Sequence, residues 1–207
     1  VDILVGNLCI DGCSLERHWN NVINNVHDYT YYRFAEEYSV TEGAALLKIL
    51  KSDQWDYVTF QQASYASGQY ETYQPYLSQL SAFVKAHAPQ AEQLIHQTWA
   101  YEIDSDHGGF AQYNNDQRTM FQGIKDAYCR AAKLLQARII PCGEAVQLAR
   151  STIPFNYANG GKSLNRDGFH ASIPHGRYLL SAVWYEAVTG KTLSDGAYLP
   201  ESNDNPI

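Results

Sequence analysis

No stretch of this sequence approaches the roughly 18 consecutive apolar residues that a membrane-spanning helix needs, so the 207 residues are expected to be soluble, with no membrane partner. Basic residues are also in short supply: 15 Lys and Arg stand against 22 Asp and Glu, a formal net charge of -7. They are scattered singly, without a basic patch or an Arg-rich helix, which argues against nucleic acid and anionic lipid as partners. The four cysteines, Cys9, Cys13, Cys129 and Cys142, form no C-x-x-C pair, and Cys9 and Cys13 have no matching Cys or His pair further on. A zinc site is therefore not expected, while the choice between free thiols and a disulfide stays open. No G-x-G-x-x-G or phosphate loop follows any strand candidate, which disfavours a Rossmann-type nucleotide binder. No initiator Met opens the chain at Val1-Asp2, and no basic region leads to a small-residue cleavage site. This is consistent with a targeting segment, or more, having been removed upstream, and it leaves localisation unreadable from the residues alone.

Internal repeats, low-complexity runs and Gly/Ser-rich or Pro-rich linkers are absent as well. With 45% hydrophobic residues, residues 1–207 are expected to be a single domain around one core, with 195–207 as a loose tail. What the chain has in abundance is aromatic: 16 Tyr and 4 Trp, with only 18% charged residues. Such a composition suits a polar-aromatic surface that stacks on sugars, although buried Tyr is equally ordinary.

Apolar patterning alternates between short strands and amphipathic helices. Asp2 to Asn7 reads as a buried strand that turns through Asp11-Gly12-Cys13-Ser14 into a helix with Ser14 as N-cap. Tyr29 to Phe34 reads as a strand or extended loop, and Thr41 to Ser52 as a helix on the spacing of Ala44, Leu47 and Leu50. Tyr57-Val58-Thr59-Phe60 is a core strand closing on Gln61-Gln62. Tyr73 to Ala88 is an amphipathic helix stopped by Pro89, and Leu94 to Trp99 is the next strand. Met120, Phe121, Ile124, Ala127, Tyr128, Ala131 and Leu134 form one helical stripe within 116–137, followed by a short strand at Arg138-Ile139-Ile140. Gly143 to Arg150 reads as a short helix, Ser151 to Arg166 as a loop, and His175 to Thr189 as the closing helix. Alternation without hairpin signals predicts a parallel sheet covered on both faces, a flavodoxin-like three-layer α/β sandwich.

In such a sheet ligands bind at the carboxyl ends of the strands. The residues there are polar: Gly12-Cys13-Ser14, Gln61-Gln62-Ala63-Ser64, His96-Gln97-Thr98-Trp99, and Glu144. Arg166-Asp167-Gly168-Phe169-His170 then precedes the last helix. The spacing of Asp167 and His170 lets one turn place the imidazole in the cleft with the carboxylate accepting its Nδ1 proton, an arrangement that serves a base deprotonating a hydroxyl nucleophile. The plainer alternative is that Asp167 caps a turn and His170 sits at the surface. Ser14, at a strand-to-helix turn beside Gly12, is a weak substitute nucleophile or simply an N-cap. Glu16, His18 and Trp19 in the next turn, and His96 and Trp99 at the strand end, face the cleft or pack.

Asp167-Gly168-Phe169-His170 resembles the last conserved block of the SGNH (GDSL-like) hydrolase superfamily, and Gly12 falls where that family places an oxyanion-hole glycine. Gly6-Asn7-Leu8, Asp11 to Glu16, His18 to Asn21, Trp55-Asp56-Tyr57-Val58 through Gln62, and His96 to Tyr101 resemble a bacterial SGNH branch catalogued only as a domain of unknown function. The resemblance spans nearly the whole chain. It implies a serine esterase that deacetylates carbohydrate or similar small esters, needs no metal or organic cofactor, and is periplasmic or secreted. In this reading His170 and Asp167 are catalytic, Gly12 and Gln62 form the oxyanion hole, and Gln61, His96 and Trp99 line the substrate cleft. Two departures stand out. The block carrying the nucleophilic serine has no match, so the first strand, first helix and nucleophile are expected to be missing from this chain, which alone should be inactive. The family's Gly-x-Asn-Asp is replaced by Gln61-Gln62-Ala63-Ser64; a Gln amide donates as Asn does, which points to Gln62, or else Gln61. The competing function is an inactive SGNH scaffold that binds glycan in an aromatic cleft.

Overall fold

The computed structural model describes residues 3–193, so the expected loose tail at 195–207 and Asp2, the first residue of the expected first strand, lie outside the described residues. The described residues build two sheets. The first is antiparallel and consists of β1 (Val5–Cys9), β2 (Tyr29–Phe34) and β3 (Tyr38–Ala44) in that order. The second is parallel and consists of β4 (Tyr57–Phe60), β5 (Glu92–His96) and β6 (Arg138–Ile140), again in chain order. Six α-helices are described: α1 (Leu15–Ile23), α2 (Leu46–Leu50), α3 (Tyr76–His87), α4 (Gln117–Leu135), α5 (Cys142–Ala149) and α6 (His175–Thr189).

The parallel sheet is the middle of the expected flavodoxin-like sandwich. Its strands alternate their side chains between two faces. Phe60 and Ile95 face a cluster built from Leu15 of α1, Leu77, Leu80 and Val84 of α3, and Met120, Ile124, Ala127, Tyr128 and Ala131 of α4. Leu94 and Ile140 face the other way, onto Leu180, Val183, Trp184, Ala187 and Val188 of α6. The stripe read from the sequence accounts for the inward side of α4 except at Leu134, which is exposed, and Asp116 starts that helix by accepting the Thr119 N–H at 2.7 Å. Ser14 does the same for α1, accepting from Arg17 N–H at 3.2 Å.

Several expectations are corrected by the antiparallel sheet. The chain does contain hairpin pairing, with β1 against β2 and β2 against β3. The expected buried strand near the start is instead exposed on one side, with Val5 48% accessible. Its other side packs Leu8 and Ile10 against Tyr29, Tyr31 and Ile49, and Gly6 leaves room for the Trp55 ring, 2.7 Å from where a Cβ would stand. The expected helix over 41–52 is a strand end followed by one short helix, because β2 offers a pairing edge that residues 38–44 satisfy in extended form, leaving only 46–50 helical.

Candidate active site

Residues 164–172 form a tight loop ahead of α6. Asn165 and Ala171 make an antiparallel bridge, Ser172 N–H donates to Leu164 O at 2.7 Å and Arg166 N–H to His170 O at 2.9 Å. Gly168 at the tip has φ of +84°, and a Cβ there would lie 3.0 Å from Ser105 Cα, so both backbone conformation and space select glycine. This folding places His170 Nδ1 2.7 Å from Asp167 Oδ2. The other carboxylate oxygen accepts the backbone N–H of His170 at 2.7 Å and of Phe169 at 3.2 Å. Burial, the largest single influence on Asp167, works to raise its pKa. The hydrogen bonds from the His170 ring and from the two backbone amides together outweigh it and hold the carboxyl below its usual value. An ionised Asp167 fixes the tautomer with hydrogen on Nδ1 and leaves Nε2 as the basic nitrogen, and the imidazole keeps 56% of its surface accessible.

The loop is also held from below. Glu102 N–H donates to Gly168 O at 2.7 Å, and the Trp99 indole N–H donates to Phe169 O at 2.8 Å. The Phe169 ring meets His170 at 4.2 Å, His107 at 4.7 Å and Tyr101 at 5.8 Å between centroids. Trp99, expected to line the substrate cleft or to pack, therefore anchors the histidine-bearing loop. Beside the loop lies a cavity of about 290 Å³ with a polar lining that includes Glu102, Asp104, Tyr157, Ser163, Asn165 and Asp167.

The two glutamines after β4 separate. Gln62 is 1% exposed. Its Oε1 accepts from Leu15 N–H at 3.0 Å and Ala63 N–H at 2.9 Å, and its Nε2 donates to Thr72 O at 3.1 Å and Thr72 Oγ1 at 3.0 Å. Both amide hydrogens are engaged, so the geometry corrects its expected place as oxyanion donor: Gln62 ties the start of α1 to the loop before α3. Gln61 points to the α6 side, where its Oε1 meets His96 Nδ1 at 2.6 Å. The His96 ring stands edge-on to Trp184 at 5.1 Å, and desolvation lowers its pKa to about 4. Gly12 takes a positive φ of +60° in the turn closed by Cys13 N–H to Ile10 O. His18 lies against Tyr29, with its ring nitrogen 2.9 Å from the phenol oxygen, and burial together with the Arg17 charge lowers its pKa to about 4.

The structure thus brings together His170, Asp167 and Trp99 in one unit and Gln61 with His96 in another. Among the described residues no hydrogen bond or ring contact joins His170 to Gly12, Ser14, Gln61, Gln62 or His96. No group of three His, Cys, Asp or Glu side chains among them is arranged to hold a metal ion, and Cys9, Cys13, Cys129 and Cys142 are free thiols. Sequence reasoning missed Glu102, Arg150, Tyr101 and His107. Tyr101 and Glu102 were signalled only by following the polar end of β5, and nothing local marks Arg150.

Residues 1–205 match the family described as Domain of unknown function, DUF4886. The chain belongs to the DUF4886 family. The crystal structure of a DUF4886 family protein from Bacteroides uniformis is 36% identical, with a TM-score of 0.91 over 98% of this chain and 78% of that one. A protein from Slackia heliotrinireducens described as an SGNH hydrolase has 21% identity and a TM-score of 0.57 over 86% of this chain and 80% of its own. A GDSL-like lipase by description, from Parabacteroides merdae, has 17% identity and a TM-score of 0.52 over 71% of this chain and 64% of its own. The DUF4886 domain thus has the fold of the SGNH superfamily. No curated protein matches the chain. Among the described residues no helix is long and apolar enough to cross a membrane.

Proposed function

We propose that this DUF4886 domain carries the general base of an SGNH-type serine esterase acting on small esters, acetyl groups on carbohydrate foremost. The observation that supports the reading is the Asp167–His170 pair at 2.7 Å, with its carboxylate clamped by two backbone amides and its imidazole open to solvent. His170 Nε2 takes the proton of a serine hydroxyl as its oxygen attacks the ester carbonyl, and returns it to the leaving alcohol. A water then attacks the acyl-enzyme, with His170 again the base, while Asp167 stays ionised and stabilises the imidazolium. The serine is the one the family carries in its first block, for which residues 1–207 hold no match; Ser14 caps α1. Gly12 N–H and the Gln61 amide are the candidate oxyanion donors, since the Gln62 amide is engaged elsewhere. The scheme draws on no metal or organic cofactor, and a periplasmic or secreted location goes with it. The single-domain reading of 1–207 is kept as part of the same proposal.

The test is p-nitrophenyl acetate hydrolysis by the full-length gene product beside His170→Ala and Asp167→Asn. Loss of about three or more decades in kcat with either variant is expected. Equal hydrolysis by all three would sink the assignment. A folded wild type that hydrolyses nothing would turn the interpretation toward glycan binding.

A further inference from the structure

Beneath the Asp167–His170 loop lies a buried charge pair. Arg150 follows α5 directly, and its guanidinium is 5% accessible; the Glu102 carboxylate beside it is 3% accessible, with 3.6 Å between Nη2 and Oε2. Arg150 Nη1 donates to Ala100 O at 3.0 Å and Nη2 donates to Asn165 Oδ1. Glu102 Oε1 accepts from Ile103 N–H at 3.2 Å and Gln117 Nε2 at 2.9 Å, and Oε2 accepts from Ser163 Oγ at 2.7 Å. The Ser163 hydroxyl oxygen in turn accepts Asn165 N–H at 2.9 Å. The two charges therefore join three segments: residues 100–103 beyond β5, residues 163–165 at the foot of the loop, and α4 through Gln117. Through its own backbone N–H, Glu102 holds Gly168 O.

We propose that Arg150 is a positioning residue for the Asp167–His170 pair, acting through Glu102 and Asn165. The proposal rests on the esterase reading above. Buried ion pairs are often replaceable by apolar residues without loss of stability, so stability alone does not call for this one. What an apolar pair would not supply is direction: the guanidinium fork fixes Asn165, where the loop begins, relative to Ala100 and Glu102, whose N–H grips the loop's tip. A shift of about 1 Å in a catalytic group costs on the order of a hundredfold in rate, and both ends of the turn that sets the His170 ring hang on this network.

The experiment compares the full-length wild type with Arg150→Lys and with the double variant Arg150→Met/Glu102→Gln, which leaves no uncompensated buried charge. Two readouts are taken on folded protein: kcat and KM for p-nitrophenyl acetate, and the downfield proton resonance of His170 Nδ1. The double variant is expected to lose about a hundredfold in kcat with KM little changed and the resonance lost or broadened, and Arg150→Lys to recover part of both. A folded double variant with wild-type kcat and resonance would overturn the proposal, as would a loss of kcat with the resonance intact. If the wild type hydrolyses no ester, the esterase reading fails, and the resonance alone still decides whether Arg150 positions the pair.

Discussion

Gln62 makes four hydrogen bonds with one buried amide, two accepted and two donated. Replacing it with Leu leaves the N–H groups of Leu15 and Ala63 and the carbonyl of Thr72 without their partner. An unsatisfied buried group costs about 1–3 kcal/mol, so Gln62→Leu is expected to lose about 3 kcal/mol in urea unfolding. The folded fraction should keep its kcat within severalfold; a drop of about 10²–10³, the size associated with a lost oxyanion donor, would restore the residue to the reaction. His18 and His96 give the protein a pH dependence of their own. Burial brings each from an ordinary 6.5 to about 4, so the unfolded chain binds protons that the folded one refuses between those values. Their contribution is present in full above pH 6.5 and lost as pH falls toward 4, on the order of 1–2 kcal/mol each by pH 5. The unfolding midpoint in urea should fall between pH 7 and pH 5, and a flat profile would contradict the burial of both rings. The three-residue spacing of Asp167 and His170 permits their pairing, and the resemblance to the last SGNH block singled it out; the partners of Gln62, at Leu15 and Thr72, are not neighbours in any local pattern.

Among the elements, α4 was the most legible, since its apolar residues recur at three and four and Met120, Ile124, Ala127, Tyr128 and Ala131 are buried, with Leu134 near its end exposed. β3 was the least. Tyr38, Val40 and Glu42 face solvent, so no buried alternation marks the strand, and Ala44, Leu47 and Leu50 imitate helical spacing across a strand end and a short helix. α5 depends on a close approach that no period reports. A Cβ on Gly143 would stand 2.1 Å from Thr98 O, so Gly143→Ala must push α5 away from the end of β5 or distort it. An overpacking cost of about 1–3 kcal/mol is expected, seen as a fall in Tm of several degrees. An unchanged Tm would mean that the helix and the strand end are not in this contact.

At the scale of the molecule, the described residues form a parallel sheet sealed between helices and an antiparallel sheet with a smaller core of Tyr29, Tyr31, Ala44 and Ile49. Val5, Phe34, Tyr38 and Val40 leave the outer face of that smaller sheet exposed. Amides of β5, with Gln93, Leu94 and Ile95 buried, should exchange hydrogen most slowly, while β1 and β3 open at lower free energy. Equal protection across both sheets in hydrogen-exchange measurements would refute this division. The α/β class, the parallel strands, α4 and α6 followed from the sequence alone, because helical period and strand length are local properties that backbone geometry reads directly; the Asp167–His170 pair was singled out by its resemblance to the last SGNH block. The hairpin pairing of β1, β2 and β3, the engagement of Gln62, the anchoring by Trp99 and the Glu102–Arg150 pair under the loop were decided only by tertiary structure. Each depends on which distant groups meet once water is excluded, and the energies that select those meetings, desolvation and hydrogen-bond satisfaction, exist only when the chain is packed.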